Sequence, residues 1–247
     1  MDPTKLSDVI VGGKVTIKTD DGQLITGIVA KRLTKVESHY LGIKVELEGG
    51  FVGRTQEVIP LISDEAKLQN LISDFRIRFS LEEDEELEFK ATFLSDQREF
   101  DKSCTIQIHD KGPHSIAKTI VAFANQKGGV LYIGVRDDPR EILGLDNDYS
   151  LLKDKQNSDG FMFKLRNSMN QLLSQMYFLE CVILKRILHL SEGDICMIQV
   201  QPMKKPVILN WKGEQQMYVR EDDESVQYSN VSAFCQHWVE HMKQFNN

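Results

Sequence analysis

The first 60 residues show the two-residue alternation of hydrophobic and polar positions that is typical of β-strands. The turn TDDGQ (19–23) contains an Asp-Gly pair, and Gly49-Gly50 interrupts the pattern again. Val, Ile and Thr dominate, and no helical period is present. The pattern predicts a small, strongly bent SH3-like β-barrel over residues 1–62. Its strands are expected at KVTIK (14–18), at LITGIVAKRL (24–33) and at two segments within 41–59.

Hydrophobic residues then recur at helical spacing, which indicates a change of structure after the barrel. Either Ser63 or Asp64 can cap a helix from about 65 to 74. We expect residues 63–79 to form a helical connector between two domains.

Residues 80–247 contain segments with the two-residue alternation of strands and segments with helical spacing, and they are expected to form a second domain. LEFKATF (87–93) alternates as a strand does, whereas residues 113–126 have a helical apolar face with Pro113 in the first turn. VLYIGV (130–135) is a continuous apolar run, as in a buried central strand. Further helices are predicted at 158–176 and 230–244, further strands at 180–190 and 195–202, and a hairpin at 206–220. The predicted class is α+β, an SH3-like barrel followed by a mixed-sheet domain flanked by helices.

The charge distribution narrows the possible functions. The 247 residues carry a formal net charge of -7, and six of the ten residues of LEEDEELEFK (81–90) are acidic. An acidic total excludes a protein that coats nucleic acid by net charge alone. It leaves room for a local basic groove, because phosphate binding depends on where Lys and Arg lie.

Two observations bear on location. No apolar run reaches the roughly 18–20 residues that span a bilayer. The start, MDPTKLSDVI, lacks the basic and apolar regions of a signal peptide. We therefore expect a cytoplasmic protein with no membrane partner.

Four stretches, in this order along residues 80–245, resemble the Schlafen AlbA-like domain. They are EDEELEFK (83–90), IVAFANQKGGVLYIGVRDD (120–138) followed by GLDND (144–148), KPVILNWKGEQQMYVRE (205–221), and a C-terminal helix with His237-Trp238. The N-terminal segments GGKVTI, GIVAKRLTK and HYLGIKVELEGGFVGR are similar to a small uncharacterised bacterial family typified by YwbE. That second resemblance implies no function.

The Schlafen resemblance implies a function on nucleic acid. The wider family includes proteins thought to be DNA-binding regulators, and its Schlafen branch contains metal-dependent endoribonucleases that cut tRNA and other structured RNA. Those nucleases use three carboxylates, which match Glu83, Glu88 and Asp137 of this chain. Arg136 stands where relatives often carry another Asp, a departure that lowers the expected metal affinity.

Residue chemistry is compatible with that implied site. Hard oxygen ligands suit Mg²⁺ or Mn²⁺, and such an ion can activate a bound water. Strand alternation places Glu88 and Lys90 on one face, where Lys90 is expected to steady the phosphate. The alternative is structural: Glu88 pairs with a Lys or Arg, Asp137 belongs to a turn, and the other acidic residues are solvated.

Basic residues near these motifs are the expected contacts to nucleic acid. On the barrel, Lys31, Arg32 and Lys35, beside His39 and Tyr40, are a second candidate surface. The predicted contacts in the second domain are Lys118, Lys127, Arg136, Arg140 and Arg220.

The glycine-rich stretches NQKGGV (125–130) and GGKV (12–15) do not form a phosphate loop by sequence. Both lack the GxxxxGK[ST] pattern, and their glycines follow a helix or precede a strand instead of opening a helix. No nucleotide cofactor is therefore predicted.

The first hypothesis is a metal-dependent endoribonuclease that acts on structured RNA such as tRNA, with DNA as an alternative partner. Schlafen nucleases join two lobes in one chain, and this chain has one. We therefore expect a homodimer or pairing with another Schlafen-like lobe. The alternatives are a non-catalytic nucleic-acid-binding or regulatory module, and a protein-interaction subunit with a degenerate Schlafen-like domain.

Overall fold

The computed structural model describes residues 1–60 and 64–243. The chain divides into two compact units, Met1–Gln69 and Asn70–Asn247. The division falls inside the predicted connector, where helix α1 (Asp64–Arg78) crosses it. The other predicted cap for this helix, Ser63, and the predicted last residue of the C-terminal helix, Gln244, lie outside the described residues.

The first unit is a closed antiparallel barrel, which confirms the predicted small barrel. Its strands within residues 1–60 are β1 (Lys14–Thr19), β2 (Leu24–Arg32), β3 (Lys44–Leu47) and β4 (Val52–Ile59). Inward-facing Val15, Ile17 and Val45 are fully buried, as strand alternation requires. Gly42 has φ +93°, and a Cβ there would lie 2.0 Å from the Thr55 carbonyl oxygen, so only glycine fits this close approach.

The second unit mixes sheets and helices, which confirms the predicted α+β class. After α1, its helices are α2 (Gln97–Ser103), α3 (Gly112–Ala124), α4 (Asp146–Ser150), α5 (Ser158–Leu173), α6 (Gln175–Cys181) and α7 (Val231–Lys243). Its strands are β5 (Leu87–Lys90), β6 (Gly129–Ile133), β7 (Val135–Arg136), β8 (Glu141–Ile142), β9 (Val182–His189), β10 (Asp194–Val200), β11 (Leu209–Trp211), β12 (Glu214–Glu221) and β13 (Glu224–Tyr228). No helix in the described ranges is long and apolar enough to cross a membrane.

The main sheet has the order β5-β6-β10-β9, with β5 parallel to β6 and the other pairs antiparallel. A second sheet has the order β11-β12-β13. Helix α3 is buried along its predicted apolar face, where Ile116, Ile120 and Phe123 are fully buried. This helix contacts strands of both sheets and so fixes one sheet relative to the other.

Several predicted boundaries differ from the structure. The strand predicted as 87–93 ends at Lys90, and the helix predicted as 158–176 breaks at Ser174, whose φ is 62°. Short elements such as α2, α4 and β13 were not predicted, because a few residues carry too little periodicity to show a pattern.

Asp148 explains why β5 ends early. Its carboxylate accepts hydrogen bonds from the backbone N–H groups of Phe93 (2.8 Å), Leu94 (2.8 Å) and Ser95 (2.7 Å). Asp148 is 1% exposed, and its burial raises the pKa, while the three N–H donors lower it. The carboxylate thus turns the chain away from the sheet directly after the residues of the EFK motif.

Replacing this carboxylate is expected to destabilise the second unit. In Asp148→Asn, an amide NH₂ group replaces one carboxylate oxygen and faces a backbone N–H group that it cannot accept from. The free energy of unfolding should therefore fall by about 2–3 kcal/mol. Urea unfolding measures the loss. Asp146→Asn, an exposed residue of the same helix, is the matched control and should change stability by less than about 0.5 kcal/mol. Equal effects of the two substitutions would contradict this role.

Candidate functional site

The predicted site residues lie near one edge of the main sheet. Strands β5 and β6 are parallel, and Lys90 is paired with Ile133 at their carboxyl ends. The Gly134 N–H donates to the Lys90 carbonyl oxygen at 2.8 Å, and the chain then runs through β7 to Asp137. Polar side chains that follow parallel strands meet at such an edge, where sheet proteins often bind ligands.

Glu88 is buried and neutralised by two cations. It is 4% exposed. Its Oε1 accepts a hydrogen bond from Nζ of Lys90. Its Oε2 forms an ion pair with Nη1 of Arg220, without the alignment of a hydrogen bond. The structure therefore shows the pairing that was the structural alternative for this residue.

Arg220 holds the acidic segment in place from strand β12. Its side chain is 1% exposed, so it does not offer a surface contact to nucleic acid. The Nε and Nη2 groups donate to the Asp84 carbonyl oxygen at 3.0 and 2.9 Å, and Nη2 also donates to that of Leu87 at 3.2 Å. The guanidinium lies over the Phe123 ring at 5.3 Å. These contacts make it a positioning residue for Glu88 and the 84–87 segment.

Glu83 is fixed close to the start of β5. Its Oε1 accepts a hydrogen bond from the Phe89 N–H at 2.6 Å. Burial raises the pKa of Glu83, and repulsion from Asp137 raises it further, against the lowering effects of the Phe89 N–H and of Lys90. Glu83 and Asp137 are thus electrostatic neighbours, and the attraction of Lys90 for Glu83 exceeds the repulsion from Asp137.

Two half-buried lysines share this neighbourhood. Burial lowers the pKa of Lys90 to about 8, with Glu83 opposing the shift and Lys118 and Arg220 adding to it. Burial also lowers the pKa of Lys118, and repulsion from Arg220 adds to that shift. Within the described residues Lys118 forms no ion pair or hydrogen bond through its ammonium group. Lys118 therefore lacks a direct counter-ion within the described residues, and Glu224 attracts it only from a greater distance.

Asp137 is held by Arg140, with Oδ1 at 2.6 Å from Nη2. The Arg140 guanidinium also donates to the Leu81 carbonyl oxygen at 2.8 Å and lies 4.1 Å from the centre of the Phe89 ring. A shallow cavity of about 620 Å³ opens beside Asp137, with Phe79 and Arg140 among its lining residues. Asp137 thus borders open space, in contrast to Glu88.

The remaining predicted contacts are paired with surface acids. Lys127 forms an ion pair with Glu85. Arg136 contacts Asp101 at 2.9 Å and Glu141 at 3.2 Å. Of the predicted contacts in the second domain, these pairs leave Lys118 without an ion-pair partner among the described residues.

The carboxylates fit a divalent ion only in part. Across residues 1–60 and 64–243, no group of three or more His, Cys, Asp or Glu side chains is gathered as for a metal. Glu88 would have to give up two ion pairs to join a metal site. Glu83 and Asp137 remain, and Mg²⁺ is often held by one or two carboxylates together with substrate phosphates. The donor set therefore fits a two-carboxylate site better than the predicted three-carboxylate site.

The glycine-rich stretches take the predicted positions. Gly128 follows α3 with φ +82° and leads into β6, and Gly12 and Gly13 precede β1. Neither stretch opens a helix, so neither has the geometry of a phosphate loop.

The barrel carries an exposed aromatic pair. The rings of His39 and Tyr40 are stacked with centres 5.1 Å apart, and Tyr40 is 84% exposed. His39 Nδ1 accepts from the Leu41 N–H at 3.2 Å. The role of this pair and of Lys31, Arg32 and Lys35 in binding nucleic acid stays a prediction.

Sequence reasoning missed two structural roles. Asp148 lies in the GLDND stretch, but nothing in that stretch indicated three backbone donors. Arg220 was predicted as a surface contact, although strand alternation already placed it on the same face as buried Tyr218. That alternation was the signal that could have identified it as buried.

Breaking the buried ion pair should cost far more stability than breaking a surface one. Arg220→Met leaves Glu88 buried with one cation, and the free energy of unfolding should fall by about 3 kcal/mol or more. Adding Glu88→Gln to Arg220→Met should recover part of this loss, because the uncompensated charge is removed. Arg136→Met, which breaks a partly exposed pair, should cost less than about 1 kcal/mol. Strictly additive losses for Arg220→Met and Glu88→Gln would contradict the pairing.

Known proteins provide independent comparisons. Residues 2–58 match the model of an uncharacterized conserved protein family, DUF2196. The likeness to YwbE itself stays a prediction. An uncharacterized ATP-binding protein of Ureaplasma parvum serovar 3 is 38% identical over 96 residues, which are 38% of this chain and 25% of that protein. A solved structure, the DIP2311 protein of Corynebacterium diphtheriae, has a TM-score of 0.44 at 13% identity over 72% of this chain and 29% of that one.

The chain thus spans about a quarter of the length of these two proteins. The family model described as Schlafen, AlbA_2 matches residues 83–229, more than half of the chain. The match begins at Glu83 and includes Glu88, Asp137, Asp148 and Arg220. This protein therefore belongs to the Schlafen AlbA_2 family.

Proposed function

We propose that this protein binds nucleic acid, structured RNA such as tRNA foremost, by contacting backbone phosphates at the edge marked by Lys90 and Lys118. The observation that carries the proposal is the half-buried ammonium group of Lys118, which has no ion-pair partner among the described residues. Glu88 is buried and already paired, and repulsion from Lys118 and Arg220 adds to the lowering of the pKa of Lys90. A bound phosphate would relieve that repulsion. Family membership supports nucleic acid as the anion.

The preference for RNA rests on the resemblance of the EFK and GVRDD stretches to Schlafen nucleases. The resemblance also suggests a second lobe, supplied by another copy of this chain or by another Schlafen-like protein. A cytoplasmic location remains the expectation for such a substrate.

Removing the lysine without a partner should weaken binding through charge alone. In Lys118→Gln, one phosphate contact is lost, so affinity for a labelled tRNA should fall, and the slope of log K against log salt should become shallower by about 1. Fluorescence anisotropy over a salt series measures both quantities. Lys205→Gln, an exposed lysine away from this edge in sequence, is the matched control. An unchanged salt slope in Lys118→Gln would show that phosphate is not bound there.

Metal-dependent endoribonuclease activity is a second candidate, favoured by one observation. Glu83 and Asp137 are like-charged neighbours that a cation would stabilise, and Asp137 borders an open cavity. Mg²⁺ or Mn²⁺ held by these two carboxylates would supply Lewis-acid polarisation of a phosphate. Lys90 would then hold the same phosphate from the side of β5.

Cleavage separates the two candidates. Incubation of tRNA with the protein and Mn²⁺ should yield fragments, and Glu83→Gln or Asp137→Asn should slow their formation by about 100-fold or more. Glu82→Gln, an exposed neighbour, should leave the rate unchanged. Fragments that persist at equal rates in all four proteins would come from a contaminating nuclease. Binding without cleavage would leave the first candidate alone.

Nucleotide binding has weaker support. The Ureaplasma relative is called an ATP-binding protein, but the match covers 25% of it, and neither glycine-rich stretch of this chain opens a helix. ATP is still a phosphate-bearing anion. Adding ATP as a competitor in the anisotropy assay would show whether it uses the same edge.

A further inference from the structure

An open groove lies in the second unit, outside the site described above. It is about 850 Å³ in volume and is formed by the segments 108–113 and 151–155 and the first turns of α5. Its floor is apolar, with Leu94 and Leu152 buried beneath it. Two large apolar side chains are exposed at its rim, Phe163 to 62% and Ile108 to 65%. Contiguous exposed apolar surface with a polar rim is typical of interaction sites.

The rim of the groove is rich in cations that the protein leaves unpaired. Among the described residues they form no ion pair or side-chain hydrogen bond, and all are exposed. They are Lys153, Lys155, Lys164 and Arg166. Three aspartates of the same lining, Asp110, Asp154 and Asp159, reduce the local surplus to one positive charge, in a chain whose formal net charge is -7. The groove is therefore more positive than the rest of the molecule.

Two stretches of chain connect the groove to the edge marked by Lys90 and Lys118. Leu94 follows Lys90 by four residues, which span at most about 14 Å even when extended. Pro113 lines the groove in the first turn of α3, and Lys118 follows on the same helix with a rise of about 7.5 Å. A single ligand can therefore reach from one to the other.

We propose that this groove binds unpaired nucleotides of the same RNA whose phosphates contact Lys90 and Lys118. Single-strand sites combine a positively charged groove with aromatic faces on which bases stack. Phe163 supplies an exposed ring, Ile108 and the buried leucines supply apolar contact, and the unpaired cations supply phosphate contacts. This inference rests on the proposed function and names the part of the substrate that the groove takes.

Two labelled RNA hairpins of one sequence test the proposal with the full chain. One is blunt, and the other carries a 3′ tail of about eight uridines, within the length that single-strand sites cover. The tailed hairpin should bind more tightly than the blunt one. Phe163→Ala should remove this gain, which means that affinity for the tailed hairpin falls by about 5- to 100-fold, the value of one stacked base. Affinity for the blunt hairpin should stay unchanged. Phe163→Tyr, which keeps a stacking ring, should restore the gain.

Control substitutions test whether the loss of affinity is specific to the groove. Leu179→Ala removes an apolar side chain that is 60% exposed on α6 and should preserve the gain. The double variant Lys164→Gln and Arg166→Gln should reduce the gain, whereas Lys205→Gln should not.

The outcomes separate this inference from the function on which it rests. If blunt and tailed hairpins bind equally to the unaltered protein and Lys118→Gln weakens both, the groove is not a nucleotide site and phosphate binding at the edge stands. If neither hairpin binds, both proposals fail. A tail-dependent gain that survives Phe163→Ala would also overturn the groove assignment. So would a gain that polyglutamate competes away as well as polyuridine does, and that result would indicate an acidic polypeptide as the ligand.

Discussion

The buried ion pair between Glu88 and Arg220 is the interaction on which the candidate site depends. A carboxylate that is 4% exposed is costly to bury without a counter-charge, and the guanidinium from β12 supplies it. The same guanidinium holds the Asp84 and Leu87 carbonyl groups, so one side chain fixes both the buried acid and the segment that leads into β5. The position of Glu83, whose carboxylate binds the Phe89 N–H, follows from that arrangement.

This arrangement gives the edge its electrostatic character. Because Glu88 is satisfied internally, its charge offers little to an external metal. Lys90 and Lys118 are half-buried beside Arg220 and repel one another, while Glu83 and Asp137 repel one another nearby. In the proposed function, phosphate binds at these lysines. The edge allows a divalent ion only where the two less buried carboxylates and a substrate phosphate act together.

The barrel and the Schlafen domain differ in how much of their structure can be read from the chain. The barrel strands were predicted within a few residues, because period-two alternation and Asp-Gly or Gly-Gly turns are local signals. In the second unit the long helix α3 and the central strand β6 were predicted for the same reason. The early end of β5 was not predicted, because it is caused by Asp148, which lies more than 50 residues further along the chain. The break at Ser174 likewise has no periodic signature.

The sequence by itself determined the fold class, the family and the identity of the acidic and basic residues near the site, since these depend on local periodicity and on motif order. Only the tertiary structure decided which charges are paired. Glu83 and Glu88 are five residues apart in one acidic run, yet one is buried against Arg220 and the other binds a backbone N–H beside Asp137. Arg220 is 132 residues beyond Glu88, and no local pattern can show that two such residues meet. Electrostatic interactions act through space, so the chemistry of this edge depends on contacts between distant parts of the chain.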